Sequence, residues 1–349
     1  MKRLGLNHLT LALVGTPTFI FIYMEIDMNR NTKKSTLAIA LACSGLVFAV
    51  GQAHAEAYAT AFTNITDLFV NVTPAANVTG FAAGSDTSVV TANLNGNNAI
   101  NGGAGTINPA PANAPGSTVA RLDNVFNLFG PGANQTYSNS DAVIASRQSV
   151  GNPFTQILQI GESDLNTPFA AGSNTENSSL TGFRFSVVTS ATTVMDFSFN
   201  ASSFLRAMID ATNADGASAQ ATMNVVISLT DSAGNNVFNW TPDGQAGGIT
   251  GGVETKDPCS LNTNIGATFL PEDNSKTCGN GVDTTIGTAP AGFLAYAAFT
   301  NALAAGTYTL SLSSKNSTQI SAVPEPGALA LLGIGLAGMG VVARRRKSA

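Results

Sequence analysis

Thr307-Tyr308-Thr309-Leu310-Ser311-Leu312 alternates strictly, with Tyr308, Leu310 and Leu312 on one side and Thr307, Thr309 and Ser311 on the other. A two-residue period puts successive side chains on opposite faces of an extended chain, so this stretch predicts a half-buried β-strand. The pattern recurs upstream. Residues 183–188 set Phe183, Phe185 and Val187 against Arg184 and Ser186, and residues 194–199 follow as a further strand. Residues 223–229 are rich in β-branched side chains. Asp231-Ser232-Ala233-Gly234-Asn235 then supplies turn residues and 237–240 returns, which predicts a hairpin. Residues 203–211 and 293–303 read equally well as short helices. Residues 93–117, 244–252 and 263–287 are rich in small, polar and turn-forming residues and read as loops. Many short strands separated by turns, with no strict internal repeat, predict a mainly β chain. Its expected form is an antiparallel sandwich, with a jelly-roll-like arrangement among the options.

The ends of the chain are built differently. From Met28, Arg30, Lys33 and Lys34 form a basic segment, residues 37–50 form an apolar run, and Ala53-His54-Ala55 offers a small-x-small cleavage pattern ending at Ala55. Those three parts in that order are a secretory signal peptide, which predicts a signal helix over 28–55. Residues 1–27 carry a second, cruder basic-then-apolar pattern over 9–24. Tandem signals are rare, so translation is expected to begin at Met28; the competing reading is a short N-terminal anchor. Cys43 lies inside the apolar run, which continues past it through Leu46, Val47, Phe48 and Val50; that favours a passenger over a lipoprotein cysteine.

At the other end, Pro324-Glu325-Pro326 precedes an apolar, glycine-rich stretch, 327–343, and then Arg344, Arg345, Arg346 and Lys347. The 17 residues of that stretch, at ~1.5 Å each as a helix, reach roughly 25 Å, just under a hydrocarbon core of ~30 Å. The basic cluster stays cytoplasmic by the positive-inside rule, which leaves everything before the stretch outside. Signal cleavage places Glu56 outside too, so both ends predict one topology. Gly333, Gly335 and Gly338 spell a dinucleotide fingerprint, but without a preceding strand and inside a membrane stretch it is rejected.

The motif Pro324-Glu325-Pro326, the glycine-rich apolar helix and the terminal arginines together resemble the PEP-CTERM sorting signal of Gram-negative bacteria. The resemblance implies an inner-membrane intermediate recognised and cut near the motif by an exosortase. The passenger then reaches the cell surface or the extracellular space, typically in bacteria that make exopolysaccharide. It covers only the last 25 or so residues and says nothing of the passenger. Residues 304–312 also resemble the closing strand that precedes such tails. The implied division is an upstream extension 1–27, a signal peptide 28–55, a β-rich domain 56–322 and a sorting tail 323–349.

Between residues 56 and 326 seven basic side chains face nineteen acidic ones, a net charge of −12. Such a surface repels phosphate backbones and excludes nucleic acid as a partner. Both histidines, His8 and His54, precede the cleavage position. The mature chain therefore lacks a Ser-His-Asp triad, a Cys-His pair and any histidine-held metal. Its cysteines reduce to Cys259 and Cys278, which in an exported domain predict a disulfide. Glu162 with Asp164, or Glu272 with Asp273, could serve a glycosidase, but as loop neighbours they read as solvated charge. Asp215 sits in an EF-hand-like fragment that fails, because Ala211 and Thr222 occupy the carboxylate positions. Asp231, Asn235 and Asn236, or Glu272, Asp273 and Asn274, remain as calcium candidates on loops. Trp240, Tyr58, Tyr137 and Tyr296 are the aromatic candidates for a carbohydrate platform, although Trp240 alternates with Phe238 and so favours the core. Asn-x-Ser/Thr triplets at Asn64, Asn71, Asn77 and Asn316 are read as a reflection of composition, with glycosylation of the surface protein as the alternative.

The expected function is a non-enzymatic surface or matrix protein of the biofilm and exopolysaccharide, with no catalytic or metal-binding residue and no cofactor. A polysaccharide- or calcium-binding module is the alternative, and a secreted glycoside hydrolase a more distant one. The expected partners are signal peptidase and exosortase during export, the membrane through the C-terminal helix, and extracellular polysaccharide.

Overall fold

The structure is a computed structural model that describes residues 12–14, 21–23 and 56–321, apart from 85, 133–134, 148–153, 167–171, 189–192, 211–216, 269–270 and 286–290. The signal helix, the upstream extension as a whole and the C-terminal transmembrane helix therefore lie outside the described residues. The first unit shows one short ladder, β1 (Ala12–Val14) antiparallel to β2 (Phe21–Tyr23).

The second unit, Ala53–Pro324, is an antiparallel β-sandwich. Among the described residues one sheet has eight strands. They are β3 (Glu56–Thr73), β7 (Ala112–Asn113), β8 (Thr136–Arg147), β9 (Phe154–Leu165), β11 (Val194–Asp210), β15 (Gly252–Lys256), β17 (Glu272–Cys278) and β18 (Leu294–Thr300). Its order is β15-β18-β11-β3-β9-β8-β7, with β17 beside β11. The other sheet has nine: β4 (Val78–Ala83), β5 (Thr87–Leu94), β6 (Asn97–Ala104), β10 (Gly172–Val187), β12 (Ser218–Asp231), β13 (Asn236–Trp240), β14 (Ile249–Thr250), β16 (Thr263–Thr268) and β19 (Gly306–Ser321). Its order is β14-β13-β12-β19-β10-β5-β6, with β16 beside β12 and β4 beside β10.

The strands foreseen over 183–188, 194–199 and 307–312 are parts of β10, β11 and β19, and the expected hairpin is β12–β13. The real elements are longer because burial keeps its two-residue period where hydrophobicity does not. In β19, Tyr308, Leu310 and Leu312 point inward, and Ser314, Asn316, Thr318 and Ile320 continue the same inward row. The core thus has two apolar ends and a polar middle. One end is aromatic: Phe199 stacks on Tyr296 at 4.8 Å between centroids and meets Trp240 at 5.6 Å. The other is built of small side chains, among them Ala57, Ala59, Ala92, Ala142, Ala219 and Ile320.

Between them buried hydroxyls and amides join the sheets. Gln159 Nε2 donates to Ser179 Oγ at 2.9 Å, Ser314 Oγ donates to Gln159 Oε1 at 2.7 Å, and Thr318 Oγ1 bonds Ser163 at 2.8 Å and Thr175 at 2.7 Å. Each of these groups is satisfied, which is the condition for burying it at little net loss. Gly161 is required in this layer, because a Cβ there would collide with the Thr175 hydroxyl.

Five segments differ from the sequence-based expectation. In the stretch 244–252, Ile249–Thr250 form β14 against β13 and Gly252 opens β15. Residues 203–211 are strand, not helix, down to Asp210: Leu205, Ala207 and Ile209 face the sandwich while Met208 packs on the outer face with Tyr58 and Tyr137. Burial on both faces fills the run with apolar residues and hides the alternation. Residues 293–303 contain β18, whose alanines on the outer side mask the same period. The stretch 263–287 contains β16 and β17, two polar edge segments held by pairing to β12 and β11. The stretch 93–117 contains β6, reached through an Asn95-Gly96 turn with φ of +52° and +84°, the double positive φ that a tight hairpin of this kind needs.

Candidate functional site

The sorting tail begins where the sandwich stops. β19 is an interior strand, and its last residue, Ser321, pairs with Gly172 on one side and Ser218 on the other. Ala57, next to the opening residue of β3, shares one small-residue cluster with Ile320. Both ends of the passenger therefore leave the sandwich at one pole. Ala53, Ala55, Pro324, Glu325, Pro326, Arg344, Arg345, Arg346 and Lys347 lie outside the described residues.

Of the acids considered for catalysis, Glu162 and Asp164 are on strand β9 rather than a loop, two residues apart and so on one face. That face is the outside of the eight-stranded sheet, and residues 114–132 cross over it as a strap. Arg121 in the strap forms an ion pair with Glu162 Oε2, and both side chains are 0% exposed. The guanidinium also donates to the carbonyls of Val125 at 2.7 Å and Asn127 at 2.9 Å and lies 4.6 Å over the Phe129 ring. Glu162 further accepts from Tyr58 Oη at 2.8 Å and from the Phe129 and Gly130 amides at 3.1 and 3.3 Å. Phe126 seals the patch against Phe62, Leu158 and Ile160.

Two more carboxyls lie on the same face, Asp164 further along β9 and Asp141 on the neighbouring β8. Burial pushes Asp164 up to about 8, helped by repulsion from Glu56 and Glu162, against one bond from the Gly132 amide at 3.2 Å. Burial likewise pushes Asp141 up to about 7, against bonds from the Ala142 and Asn124 amides. Shifted acids of this kind often mark active sites, yet structural networks also produce them. Here the strap covers them.

The other candidates have local structural partners. Asp273 forms a two-pronged ion pair with Arg206, at 2.8 Å on each prong, and the bond from Arg206 lowers its pKa. Glu272 accepts from the Thr268 amide and from Asn274 Nδ2. Asp231 caps its own turn, accepting from the Ala233 and Asn235 amides and from Asn235 Nδ2, and those bonds from Asn235 lower its pKa. Among the described residues no group of three or more Asp, Glu, His or Cys side chains is arranged to hold a metal ion. The aromatic candidates Trp240, Tyr58, Tyr137 and Tyr296 are all buried and offer no stacking platform. Asn64 and Asn316 are buried as well, so those two triplets are closed to modification in the folded chain. Cys259 and Cys278 form the expected disulfide, with Cα atoms 6.0 Å apart.

Sequence reading missed a cleft on the outer face of the nine-stranded sheet, at the pole where the tail leaves. Its volume is about 650 Å³, within the usual range for ligand sites. Strand register builds it. Asn174 stands opposite Asn93 of β5 on one side and Gln319 of β19 on the other, and Gln319 stands opposite Gln220 of β12. Four amide side chains thus form one row across four strands. In the next row Glu176 Oε1 pairs with Lys315 Nζ at 2.6 Å, which leaves the cleft close to neutral.

Comparison with known proteins identifies the tail. Residues 322–347 match the family described as "PEP-CTERM protein-sorting motif". The chain ends in a PEP-CTERM sorting motif. The match begins one residue after β19 and takes in Pro324-Glu325-Pro326, the apolar stretch and the basic cluster. The PEP-CTERM motif implies a protein that is exported, processed by an exosortase and sorted to the cell surface. No curated protein matches the chain. A solved structure titled "Structure of infectious bursal disease virus Gx strain" pairs with it at 12% identity, over 78% of this chain and 68% of that one, with a TM-score of 0.10.

Proposed function

We propose that the passenger is a non-enzymatic structural or adhesive component of the cell surface or extracellular matrix, working in the exopolysaccharide or biofilm of its producer. The observation that carries this reading is the fate of Glu162 and Asp164. A glycosidase needs two carboxyls flanking a substrate-accessible gap. Glu162 is tied to Arg121, Tyr58 and two backbone amides beneath the strap, and the strap's Gly132 amide holds Asp164. The other supports are architectural. Long paired strands, a cross-linked polar layer and a disulfide suit a protein that must persist outside the cell.

The test is fractionation of producing cells together with an assay of the processed protein on their polysaccharide. The expected result is processed protein in the matrix or surface fraction, with no new reducing ends released. Replacing Pro324, Glu325 and Pro326 by alanine should leave unprocessed chain in the membrane. Release of reducing ends by the pure protein would refute the non-enzymatic reading.

A second reading, a polysaccharide-binding module, is favoured by the polar cleft on the nine-stranded sheet. It differs from the platform foreseen at Trp240, which is 0% exposed.

A further inference from the structure

We infer that the amide row Asn93, Asn174, Gln319 and Gln220 is the binding subsite for a neutral polysaccharide whose chain runs across the strands. This rests on the reading of the passenger as a surface or matrix protein. The row lies in register on four adjacent strands, β5, β10, β19 and β12. Neighbouring strands are about 4.8 Å apart, so the row repeats an amide at that interval over roughly 14 Å. The interval is close to the advance of one sugar unit along an extended glycan.

The chemistry points to the same occupant. Asn174, Gln220 and Gln319 each offer a donor group and an acceptor group at a fixed spacing, which matches adjacent sugar hydroxyls, whereas Asn93 at the end of the row is already bonded to Asn98 Oδ1 and the Gly96 amide. Asn174, Gln220 and Gln319 are exposed, and their side chains make no hydrogen bond among the described residues. They need no internal bond broken before taking an outside one. The floor beneath them is rigid, because Thr175 and Thr318 on the opposite side of β10 and β19 are locked in the buried hydroxyl layer. Preorganised groups lose less entropy on binding. Glu176 is matched by Lys315, so the cleft selects neither a polyanion nor a polycation. A protein partner would want an apolar centre ringed by polar residues, and a central row of amides is the reverse.

The experiment is affinity electrophoresis of the processed protein, isolated from producing cells. The gels contain dextran, mannan, mixed-linkage β-glucan or the neutral fraction of the cells' own polysaccharide, with alginate as the charged comparison. The expected result is retardation by at least one neutral polymer that persists at high salt. It should weaken at least tenfold in N174A/Q319A and survive in V253S, a substitution on β15 of the other sheet. Both cleft side chains are exposed, so the thermal midpoint of N174A/Q319A should equal that of the parent and separate lost binding from lost fold. Retardation only by alginate, retardation unchanged in N174A/Q319A, or none with any neutral polymer would overturn the assignment. Protein found in the matrix yet indifferent to every neutral polymer refutes the subsite alone; protein absent from both surface and matrix refutes the reading beneath it.

Discussion

Replacing Arg121 by methionine takes one charge out of a pair in which both side chains are fully buried. Removing one partner of a buried ion pair costs about 3–5 kcal/mol, because the other charge is left uncompensated. The strap could escape that penalty by lifting off. Lifting would uncover Phe126, Phe62, Leu158 and Ile160, each no more than 2% exposed. Burying such side chains contributes about 1.5–3 kcal/mol each, or roughly 6–12 kcal/mol together. Staying docked is the cheaper course, so the deficit of about 3–5 kcal/mol should appear in the unfolding free energy. Denaturant unfolding reads the size, and hydrogen exchange at the Phe129 and Gly130 amides, which donate to Glu162, reads the location. Adding Glu162→Gln to the Arg121→Met chain should recover part of the loss. An unchanged midpoint and unchanged exchange in R121M, or an R121M/E162Q chain as unstable as R121M, would refute the view that the pair holds the strap.

Three further outcomes follow from the structure. Asp141 and Asp164 have folded pKa values of about 7 and about 8, above an unfolded value near 3.9, so the folded state keeps protons that the unfolded chain releases. Their contribution is therefore full below about pH 3.9 and is lost as pH rises through 7 to 8, by up to about 1.4 kcal/mol per pH unit for each group. Urea midpoints between pH 5 and 8 should fall with pH, and D141N/D164N should flatten the slope. Replacing Cys259 and Cys278 by serine should cost about 3 kcal/mol on the chain-entropy account, with equal midpoints for the variant and the reduced parent. Trp240→Ala should cost about 3–5 kcal/mol, read by thermal or denaturant melting, because the ring is fully buried against Phe199. A W240A chain of parental stability that failed only in polysaccharide binding would contradict that placement.

Some of the fold was legible because hydrophobic alternation and burial coincide there. Tyr308, Leu310 and Leu312 in β19, and Phe183, Phe185 and Val187 in β10, announce a strand and its inward face together. The signal fails where polar residues take inward positions, as Ser314, Asn316 and Thr318 do. It fails again where both faces are covered, as at Phe204-Leu205-Arg206-Ala207-Met208 in β11. The Asn95-Gly96 turn was a readable hairpin signal, obscured by a surrounding composition rich in Asn, Gly and Ala. Arg121 carried no readable signal, since nothing local to it says that Glu162, 41 residues away, will lie beneath it. The amide row is harder still. Asn93, Asn174, Gln220 and Gln319 are scattered over more than two hundred positions and become neighbours only through pairing.

The amino-acid sequence alone determined what is local: the two-residue period, the cysteine pair in an exported context, the lack of histidine between residues 56 and 349, and the tail from Pro324 to Lys347. Each depends on residue types at short spacing, which a linear chain displays directly. Tertiary structure alone decided which acids are sealed, which aromatics are core and which amides share a row. Those properties depend on strand register, and a shift of one residue would turn every side chain of a strand to the opposite face.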